Sequence, residues 1–408
     1  MCRKKLYQVK RGGFTLAMVL FVVVLLLIIG IGVLSIGTQR RLGGVRAGSE
    51  ITARSAADSG LTHGLFALNK MLETKTWSDG SLPYETGASV PFSDATFSYY
   101  VAKISAADSN DDVYTIKSIG NSGHASKSVQ STLELKGLFE YAIYVAEDLT
   151  LRSGTTITAY NQDADDPPLQ IGTNSTEAGA VTCKSGVTID GDIVVGPDGD
   201  PDVVINNTTE ATITGESYAS LIKNKTPSIN VPQALQDMAS SGSVISSTTI
   251  SNSAKYDSLD LFSDPNKGAG ITIDGNIELY VTGDIRLGNS DKIDILPDSS
   301  VTIFLGGNLI CDNSGAINNL TQDPKKLKIY GLDTCTAMDF KNTGSFYGAI
   351  YAPNADIHLY NGVSVYGSMI GNSFTQDVNA NFYYDMDLRE VEPHEIGVHM
   401  VIKRWSEQ

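Results

Sequence analysis

The chain has 408 residues, of which 41% are hydrophobic and 19% charged, and this composition is typical of a folded protein of two or three domains. Its formal net charge is −16 at pH 7 and its pI is about 4.7. This charge argues against a nucleic-acid partner, because phosphates are bound by Lys and Arg, and no basic patch with aromatic residues occurs in the body of the sequence. The 39 Gly and 13 Pro, together with many Thr, Asn and Asp, indicate a turn-rich β protein.

The first predicted element is a long apolar helix near the N-terminus. Residues 14–37 carry no charge, and they follow residues 1–13, which contain Lys and Arg but no acidic residue. About 20 apolar residues are enough to cross the hydrocarbon core of a bilayer, and flanking positive charges favour the cytoplasmic side. The sequence therefore predicts one membrane span with a cytoplasmic N-terminus and with the rest of the chain on the other side.

Three interpretations of this segment differ in the fate of residues 1–13. A cleaved secretory signal has a shorter apolar core and a small-residue cleavage site after it, which this run does not have. A plain membrane anchor would be retained whole. In the third interpretation, the string GGFTL at 12–16, placed after a basic leader and before the apolar run, resembles the leader of a type IV prepilin.

The resemblance to type IV prepilins implies a processing site and a set of partners. In that family a membrane peptidase cuts after the Gly and methylates the new N-terminal residue. The cut would fall between Gly13 and Phe14, and Phe14 would carry the N-methyl group. The implied partners are other pilins or pseudopilins, the prepilin peptidase and the membrane. The implied location is the inner membrane before assembly, as a single-pass protein, and afterwards a periplasmic or extracellular filament or the cell surface.

One position departs from the prepilin pattern. Family members usually have Glu at the fifth mature position, where it neutralises the terminal amine of a neighbouring subunit, and this chain has Met18 there. A buried ammonium group without a partner is costly. The departure therefore favours a subunit at a filament tip or in assembly priming, as for the pseudopilin that caps secretion pseudopili.

The helix is expected to continue to about residue 75, which gives an N-terminal helix over 14–75. Apolar residues recur every three to four positions in residues 47–72, and Ala56, Ala57 and Gly60 form a flat face that another helix could approach. The string ARSAADSGL at 53–61 resembles a segment of PilX-like minor pilins and large pseudopilins, at the place where their long helix continues.

A small β module is predicted over residues 76–138. Alternating apolar and polar residues at 97–101, 113–116 and 129–135 predict strands, and the last two flank a turn-like GNSGH. Three antiparallel strands packed against the helix would form a pilin-like α+β module.

The region 139–390 is predicted to be a parallel β-helix, which makes the fold class mainly β. Short β-branched runs are separated by Gly, Asn and Asp, and similar motifs recur. Three pairs of residues stand 24 positions apart: Gly191 and Gly215, Gly283 and Gly307, and Cys311 and Cys335. A period of this length suits one coil of a solenoid. A β-sandwich or jelly roll is the alternative, because it gives similar strand spacing.

Three segments of the C-terminal half have their own interpretation. Residues 217–265 interrupt the repeat with two Pro and a short helical stretch, and they predict a lateral insertion. The aromatic and Gly-rich residues 346–385 resemble the C-terminal region of large PilX-like minor pilins, and we interpret them as structural ladders and corners. Residues 391–408 are expected to form a strand that caps the solenoid.

The cysteines allow one disulfide prediction. Cys2 lies in the leader, and Cys183, Cys311 and Cys335 lie in the exported body, where disulfides are permitted. Cys311 and Cys335 would stand on stacked coils, which makes them the best pair. The alternative is that they are buried free thiols.

Few residues in the sequence suggest chemistry. Alternating carboxylates at 198–202 and 163–166 offer oxygen ligands for calcium, but the spacing and terminal Glu of an EF-hand are missing, so solvated turns are favoured and no cofactor is expected. His394 and His399 are one residue too far apart for a zinc-protease helix. Because no pair of carboxylates stands out either, the chain is not predicted to be an enzyme.

The sequence therefore predicts a minor type IV pilin or pseudopilin-like structural subunit that displays a large extracellular β domain. Two other functions remain open. The β domain could be a surface adhesin or a module that binds a glycan or protein ligand, or the chain could be a membrane-anchored β-helix enzyme acting on carbohydrates.

Overall fold

The computed structural model describes residues 14–105, 112–163, 166–207, 210–263, 268–288, 290–312, 314–341, 344–360 and 362–407. The chain divides into two compact units. The first comprises residues up to Glu134 together with Met400–Gln408, and the second comprises Leu135–His399. The second unit is therefore an insertion in the sequence of the first.

The first unit consists of one long helix and a sheet. Helix α1 spans Phe14–Glu73, and a one-turn 3-10 helix follows at Asp79–Ser81. The sheet strands are β1 (Tyr84–Ser89), β2 (Thr96–Ser105), β3 (Asp112–Ser122), β4 (Ala125–Lys136) and β31 (His399–Glu407). Antiparallel pairing joins β1 to β2, β2 to β3 and β3 to β4. The predicted strands and the predicted helix are therefore present, as is a further strand, β1.

Strand β31 corrects one expectation. Residues 391–408 were expected to cap the solenoid, but β31 lies beside β4 at the end of the order β1-β2-β3-β4-β31. The polypeptide leaves the first unit through β4 and returns to it through β31. The sequence pattern shows that a strand is present, but it does not show which sheet offers a free edge to it.

The second unit is built of short strands. Its first part contains β5 (Ile143–Val145), β6 (Leu149–Leu151), β7 (Thr156–Tyr160), β8 (Gln170–Thr173), β9 (Val181–Cys183), β10 (Thr188–Ile189), β11 (Asp192–Val195), α2 (Pro201–Val204), β12 (Ile205–Asn206), β13 (Thr212–Ile213) and β14 (Ser217–Ala219). Its second part begins with α3 (Gln233–Gln236), β15 (Ser243–Val244), β16 (Thr248–Ile250), β17 (Ala254–Tyr256) and β18 (Ser258–Asp260). The remaining strands are β19 (Gly270–Ile273), β20 (Asn276–Val281), β21 (Ile285–Leu287), β22 (Lys292–Ile295), β23 (Ser300–Leu305), β24 (Leu309–Cys311), β25 (Ala316–Asn319), β26 (Leu327–Gly331), β27 (Ala337–Phe340), β28 (Ser345–Leu359), β29 (Ser364–Gln376) and β30 (Asn381–Asp385). One-turn 3-10 helices lie at Leu261–Ser263, Pro324–Lys326 and Met386–Arg389.

These strands form a parallel β solenoid, as the sequence predicted. Each strand pairs in parallel with the strand of the next coil, as in β20 with β23 and β23 with β26. Alternate side chains point inward, so Leu279, Ile303 and Ile329 are stacked and buried in one continuous core. A sandwich or jelly roll needs antiparallel pairs, and the described strand pairs of this unit are parallel.

The coils do not stack in sequence order. Strands β5–β7 pair with β8–β10 on one side, and on the other side they pair with β29 and β30, which come from the end of the unit. Strand β29 is therefore held between β28 and a layer that combines β30, from the end of the unit, with β5 and β6 from its beginning, and β7 lies on the far side of β30. The pairing of β29 with β5 and of β30 with β7 joins segments that are more than 200 residues apart in the sequence.

The predicted insertion is only partly correct. Of residues 217–265, strands β15, β17 and β18 belong to coils of the solenoid and pair with β18, β20 and β21. Residues 220–239 leave the coils, and Ser240 rejoins them through a parallel bridge to Lys255. This segment runs along the outside of the coils and is held by hydrogen bonds to its backbone carbonyls. The Asn224 carbonyl accepts from the Asn174 side chain, and the Pro227 carbonyl accepts from the Tyr351 hydroxyl at 2.8 Å. The Gln236 carbonyl accepts from the Lys255 ammonium. This segment, called the strap below, connects β14 to β15.

The 24-residue period is confirmed for two of the three predicted pairs. Thr188 lies opposite Thr212, and Tyr280 lies opposite Phe304, each 24 positions on. Gly307 stacks on Gly283, and its amide donates to the Gly283 carbonyl at 3.1 Å. A Cβ at Gly307 would collide with that carbonyl, so the corner requires Gly.

The cysteine pair departs from that period. The coil after β24 is longer, because Leu309 lies opposite Met338 and Cys311 lies opposite Phe340. Cys335 therefore precedes the position that stacks on Cys311 by five residues. The structure holds Cys311 and Cys335 as buried free thiols, and Cys183 is buried as well. The expected bridge on stacked coils is thus not formed, and burial raises the pKa of the Cys311 thiol to about 12.

Candidate functional site: an exposed apolar helix packed on a sheet

The first half of α1 is apolar on all sides and covered on none. The large side chains from Leu16 to Leu34 are exposed, among them Leu16, Phe21 and Leu34, each by two thirds or more. The helix is long and apolar enough to cross a membrane, judged by its length and composition. Folded proteins rarely leave so large an apolar surface in water. This half therefore needs lipid or other apolar helices around it.

The second half of α1 packs on the sheet with one face. Its buried residues follow helical spacing and are Ala53, Ala56, Ala57, Leu61, Leu68 and Leu72. They face the inward side chains of β2 and β3, which include Phe97, Tyr99 and Ile116. The opposite helix face carries exposed polar residues such as Arg54 and Ser59, beside exposed Ile51 and Phe66, so this half is amphipathic.

Small residues let the helix and the sheet approach each other closely. A Cβ at Gly120 of β3 would collide with the backbone of Ala53 and Ala57. A Cβ at Gly60 would come within 2.8 Å of the Phe97 ring, and one at Gly64 within 2.9 Å of Tyr99. The sequence suggested that another helix could approach this small-residue face, and in the structure strands β2 and β3 of the same chain occupy it.

The C-terminal strand is held to the helix by one side-chain amide. The amide nitrogen of Asn69 donates to the Met400 carbonyl at 3.2 Å, and the Met400 N–H donates to the Asn69 Oδ1 at 2.7 Å. Near the other end of β31, Arg54 forms an ion pair with Glu407 at 3.3 Å and lies over the Trp405 ring. The strand is therefore joined to α1 at both of its ends.

One carboxylate is shared by three donors beyond the end of α1. Asp79 accepts from the Lys103 ammonium at 2.8 Å, the Tyr114 hydroxyl at 2.9 Å and the Trp77 indole N–H at 3.0 Å. The hydrogen bond from Lys103 is the largest influence, and together these donors hold the pKa of the Asp79 carboxyl below its usual value, against the opposing effect of burial. The Trp77 and Tyr114 rings meet edge to face, so the cluster also fixes two aromatic residues.

The predicted processing site lies at the edge of the described chain. Gly13 is outside the described residues, and Phe14 begins α1 as the first described residue. Cleavage between them and methylation of Phe14 stay predictions. Met18 is exposed on the apolar half of α1, and no carboxylate of the described part of the chain lies beside it.

The Asp-rich turns cap themselves. Asp200 accepts from the Asp202 N–H at 3.1 Å and begins α2, and the Asp163 N–H donates to the Asp166 side chain at 2.8 Å. Asp165 is outside the described residues. Within the part of the chain that the structure describes, no group of three or more His, Cys, Asp and Glu side chains could hold a metal ion.

A row of charged side chains follows one corner of the solenoid. Asp377 accepts from Arg152 at 3.1 Å and lies 3.3 Å from the His358 ring. One coil further, Lys341 pairs with Asp312 at 3.0 Å, which raises the pKa of the Lys341 ammonium. Each charge has an opposite partner on a neighbouring coil, which is the pattern of a stabilising ladder rather than of a reaction centre.

A second row on the solenoid is aromatic. Tyr347, Tyr366 and Tyr383 lie on successive coils, with ring centroids 4.3 and 4.6 Å apart and planes within 15° of parallel. Tyr160 meets Tyr366 edge to face at 5.5 Å. The four rings are partly exposed, so their edges and hydroxyl groups form a strip on the surface. The sequence predicted aromatic ladders in this segment, and this ladder is present.

Comparison with known proteins gives one family model and several remote structures. Residues 224–391 match the model of a domain of unknown function, DUF7305, and this match begins in the strap and covers less than half of the chain. No curated protein matches the chain.

Three solved structures are similar at low identity. The competence-associated pilin ComZ from Thermus thermophilus is 12% identical, with 88% of this chain and 97% of that chain covered and a TM-score of 0.33. An ice-binding protein from the Antarctic ascomycete Antarctomyces psychrotrophicus is 11% identical, with coverages of 62% and 96% and a TM-score of 0.24. The DUF3494 domain of ice-binding protein 1 from Shewanella frigidimarina is 14% identical, with coverages of 61% and 99% and a TM-score of 0.30. With TM-scores below 0.5, these similarities establish neither a family nor an activity.

Three residues of the first unit were missed at the sequence level. Asn69 interrupts the apolar stripe of α1, Gly120 stands inside a strand, and Phe92 follows Pro91 in a turn, a place that usually takes Gly or Asn. Each breaks a local preference, and such breaks are the signal that could have identified them.

Proposed function

We propose that this chain is a minor type IV pilin-like subunit, anchored by α1 and carrying the solenoid as a displayed domain. The observation that carries the proposal is the two-part helix: its first half is apolar and uncovered, and its second half packs through small residues onto an antiparallel sheet. The prepilin-like leader before this helix supports the same function.

The geometry gives each part a role. Before assembly, the apolar half would cross the inner membrane, with the leader in the cytoplasm and with the sheet of the first unit and the whole second unit on the other side. After cleavage between Gly13 and Phe14, the same half would pack among the helices of other pilin-like subunits. The proposal includes no catalytic step for this chain and no cofactor.

A tip or priming position fits this subunit best within the proposal. Met18 supplies no carboxylate for the terminal amine of a neighbour. The inserted second unit, Leu135–His399, is also much larger than the helix–sheet unit that carries it. Such bulk is easiest to accommodate where no subunit follows.

A ligand-binding role for the solenoid is the second candidate, and the strip formed by Tyr160, Tyr347, Tyr366 and Tyr383 favours it. Phenol edges and hydroxyl groups at the spacing of the coils offer a repeated set of hydrogen-bonding and apolar contacts. A repeating polymer such as a surface glycan matches that repetition. Binding of the full chain to a glycan array, compared with binding of a Tyr366→Ala variant, tests this role.

The decisive experiment for the main proposal examines the N-terminus in native cells. Mass spectrometry should find N-methylated Phe14 as the first residue, and Gly13→Val should leave the leader attached. Gly12→Ala is the matched control and should be processed normally. An intact leader on the wild-type protein would contradict processing and leave only a plain anchor.

A second measurement addresses position in the filament. Immunogold labelling and the stoichiometry of purified filaments should show rare copies at or near the end. Met18→Glu should preserve assembly or increase incorporation along the shaft. Dense labelling along the shaft, near one copy per major subunit, would reject the minor role.

A further inference from the structure

The turn of the hairpin that joins β1 to β2 carries Phe92, an aromatic side chain that is fully exposed. Phe92 has a relative exposure of 110%, the largest of the exposed apolar residues in the described chain. Its backbone φ is +60°, and the Ser93 N–H donates to the Val90 carbonyl at 3.2 Å across Pro91 and Phe92. This is the third position of a type II turn, which favours Gly or Asn. The fold therefore gains nothing from Phe at this position and bears its strain.

The hairpin tip lies at the end of the sheet that faces the apolar half of α1. Ser89 pairs with Thr96, and Thr96 pairs with Asn121, so the tip lies at the same edge as the β3–β4 turn. In that turn, a Cβ on Gly123 would come within 3.5 Å of Ser49 of α1. Ser49 follows the apolar run, so this edge is the part of the sheet nearest to the predicted membrane span.

Positive charge is concentrated between the span and this edge. Arg40, Arg41 and Arg46 are exposed on α1. The acidic residues Glu50 and Asp94 also lie here, so the local excess is positive in a chain whose formal charge is −16. An anionic lipid surface complements such a segment, because Arg next to a span binds phosphate.

The length of the span explains how the edge can reach the lipid. From Phe14 to the residue before Arg40, the helix is uncharged for 26 residues, or about 39 Å, whereas the hydrocarbon core is about 30 Å thick. A helix that is too long tilts. Tilting towards the sheet side lowers the Phe92 hairpin to the headgroup region, where an aromatic side chain gains contact with acyl chains.

We infer that the β1–β2 hairpin is a membrane-docking element, in which Phe92 enters the headgroup region of the leaflet on the solenoid side while Arg40, Arg41 and Arg46 bind lipid phosphates. The occupant of this surface is the bilayer that α1 crosses. The inference rests on the proposed membrane anchoring. It adds a lipid-bound orientation of the first unit before assembly.

Spin labelling of the full chain in lipid vesicles tests the inference. The background variant is Cys2→Ser, and the three other cysteines are too buried to react. Labels are placed at Phe92→Cys, at Tyr84→Cys and at Leu26→Cys, in vesicles of phosphatidylethanolamine with phosphatidylglycerol. Tyr84 is the matched control, because it is 75% exposed on the same hairpin but at the opposite end of β1. Collision with a water-soluble nickel complex and with oxygen gives the depth of each label.

The expected result is a graded set of depths. The Leu26 label should be shielded from nickel, the Phe92 label should be several-fold less accessible than the Tyr84 label, and the Tyr84 label should behave as in water. Equal nickel access at Phe92 and Tyr84, with Leu26 shielded, would overturn the docking inference alone. Nickel access at Leu26 would instead overturn the membrane anchoring, and with it the proposed function.

Two variants separate the contribution of the three arginines from that of Phe92. Replacing Arg40, Arg41 and Arg46 by Gln should move the Phe92 label towards the Tyr84 value in phosphatidylglycerol vesicles and have little effect in phosphatidylcholine vesicles. With the label moved to Ser126→Cys beside the β3–β4 turn, Phe92→Gly should remove its protection while leaving the Tm unchanged or higher, because Gly accepts a positive φ. Protection that persists in Phe92→Gly would overturn the role of Phe92.

Discussion

The two units of this chain use apolar residues in opposite ways. In the solenoid, inward side chains from successive coils form one continuous core, and residues such as Leu279 and Ile303 are almost fully buried. In the first unit, the longest apolar run of the sequence is exposed along its whole length, and only the second half of α1 contributes to a core. The solenoid therefore covers most of its apolar side chains itself, whereas the first unit has a long apolar surface that needs other molecules.

The units also differ in how sequence neighbours meet. Strands β1 to β4 follow one another as antiparallel neighbours, and only β31 comes from far along the chain. In the solenoid, β29 lies between β28 and the early strands β5 and β6, and β30 lies between β29 and the early strand β7. Both tryptophans, Trp77 and Trp405, belong to the first unit, so tryptophan fluorescence monitors that unit selectively.

The largest effect is expected where β30, from the end of the second unit, stacks on β7, from its beginning. Phe382 of β30 is fully buried and lies opposite Val365 on one side and Ile157 on the other. Phe382→Ala should reduce the free energy of unfolding of the solenoid by about 3–5 kcal/mol, because it leaves a cavity between coils that are distant in sequence. Hydrogen exchange with mass spectrometry should show faster exchange in β7 and β29 together, with tryptophan fluorescence unchanged.

The matched control for this variant is Val378→Ala, in the exposed turn before β30. It should change the stability by no more than about 0.5 kcal/mol. Faster exchange confined to β30, with β7 still protected, would show that the first and last coils are not coupled.

The next effect concerns the close approach of helix and sheet. A Cβ at Gly120 would meet the backbone of Ala53 and Ala57, which cannot yield as a flexible side chain could. Gly120→Ala should therefore destabilise the first unit by about 1–3 kcal/mol, seen as a lower urea midpoint by tryptophan fluorescence of the full chain in detergent. The control is Gly48→Ala in α1, where an added Cβ meets open space. This variant should be neutral or stabilise by up to about 1 kcal/mol. Equal midpoints for the two variants would argue against the tight packing.

A third change removes the link between α1 and the returning strand. Asn69→Ala deletes two hydrogen bonds to Met400, each contributing about 0.5–1.5 kcal/mol. We expect the first unit to lose about 1–3 kcal/mol, with faster amide exchange in β31 and unchanged exchange in the solenoid. Lys70→Ala, at the exposed neighbouring position, is the control. Faster exchange in the solenoid strands instead would place β31 with the other unit.

Much of the fold could be predicted because it depends on local patterns. The charge-free run predicts α1, and the alternation of apolar residues with Gly corners predicts the solenoid, since each coil repeats the same inward and outward positions. The register of Thr188 with Thr212 follows directly from that repeat.

The parts that could not be predicted depend on contacts between distant segments. The stacking of β30 on β7, the membership of β31 in the first sheet and the sheet on the small-residue face of α1 are all long-range choices. Spacing alone also failed for Cys311 and Cys335, because coils differ in length and equal spacing does not ensure stacking. The Phe92 turn is visible in the sequence, but only the structure shows that its side chain has no cover.

The smallest predicted effect is a pH dependence of the first unit. The donors around Asp79, led by Lys103, hold its pKa below the ordinary value of 3.8 in the folded state, while the unfolded chain keeps that ordinary value. The carboxylate therefore contributes stability that is fully present above about pH 4 and is lost as the pH falls through the folded pKa. Because the side chain is nearly half exposed, solvent screening limits this contribution to a few tenths of a kcal/mol.

Asp79→Asn should accordingly lower the urea midpoint slightly at pH 7, and its midpoint should approach that of the wild type at pH 3. Lys103→Met should act in the same direction, and the double variant should lose less than the sum of the two single losses. A difference between Asp79→Asn and the wild type that stays constant from pH 7 to pH 3 would show that the carboxylate charge is not what stabilises this end of the unit.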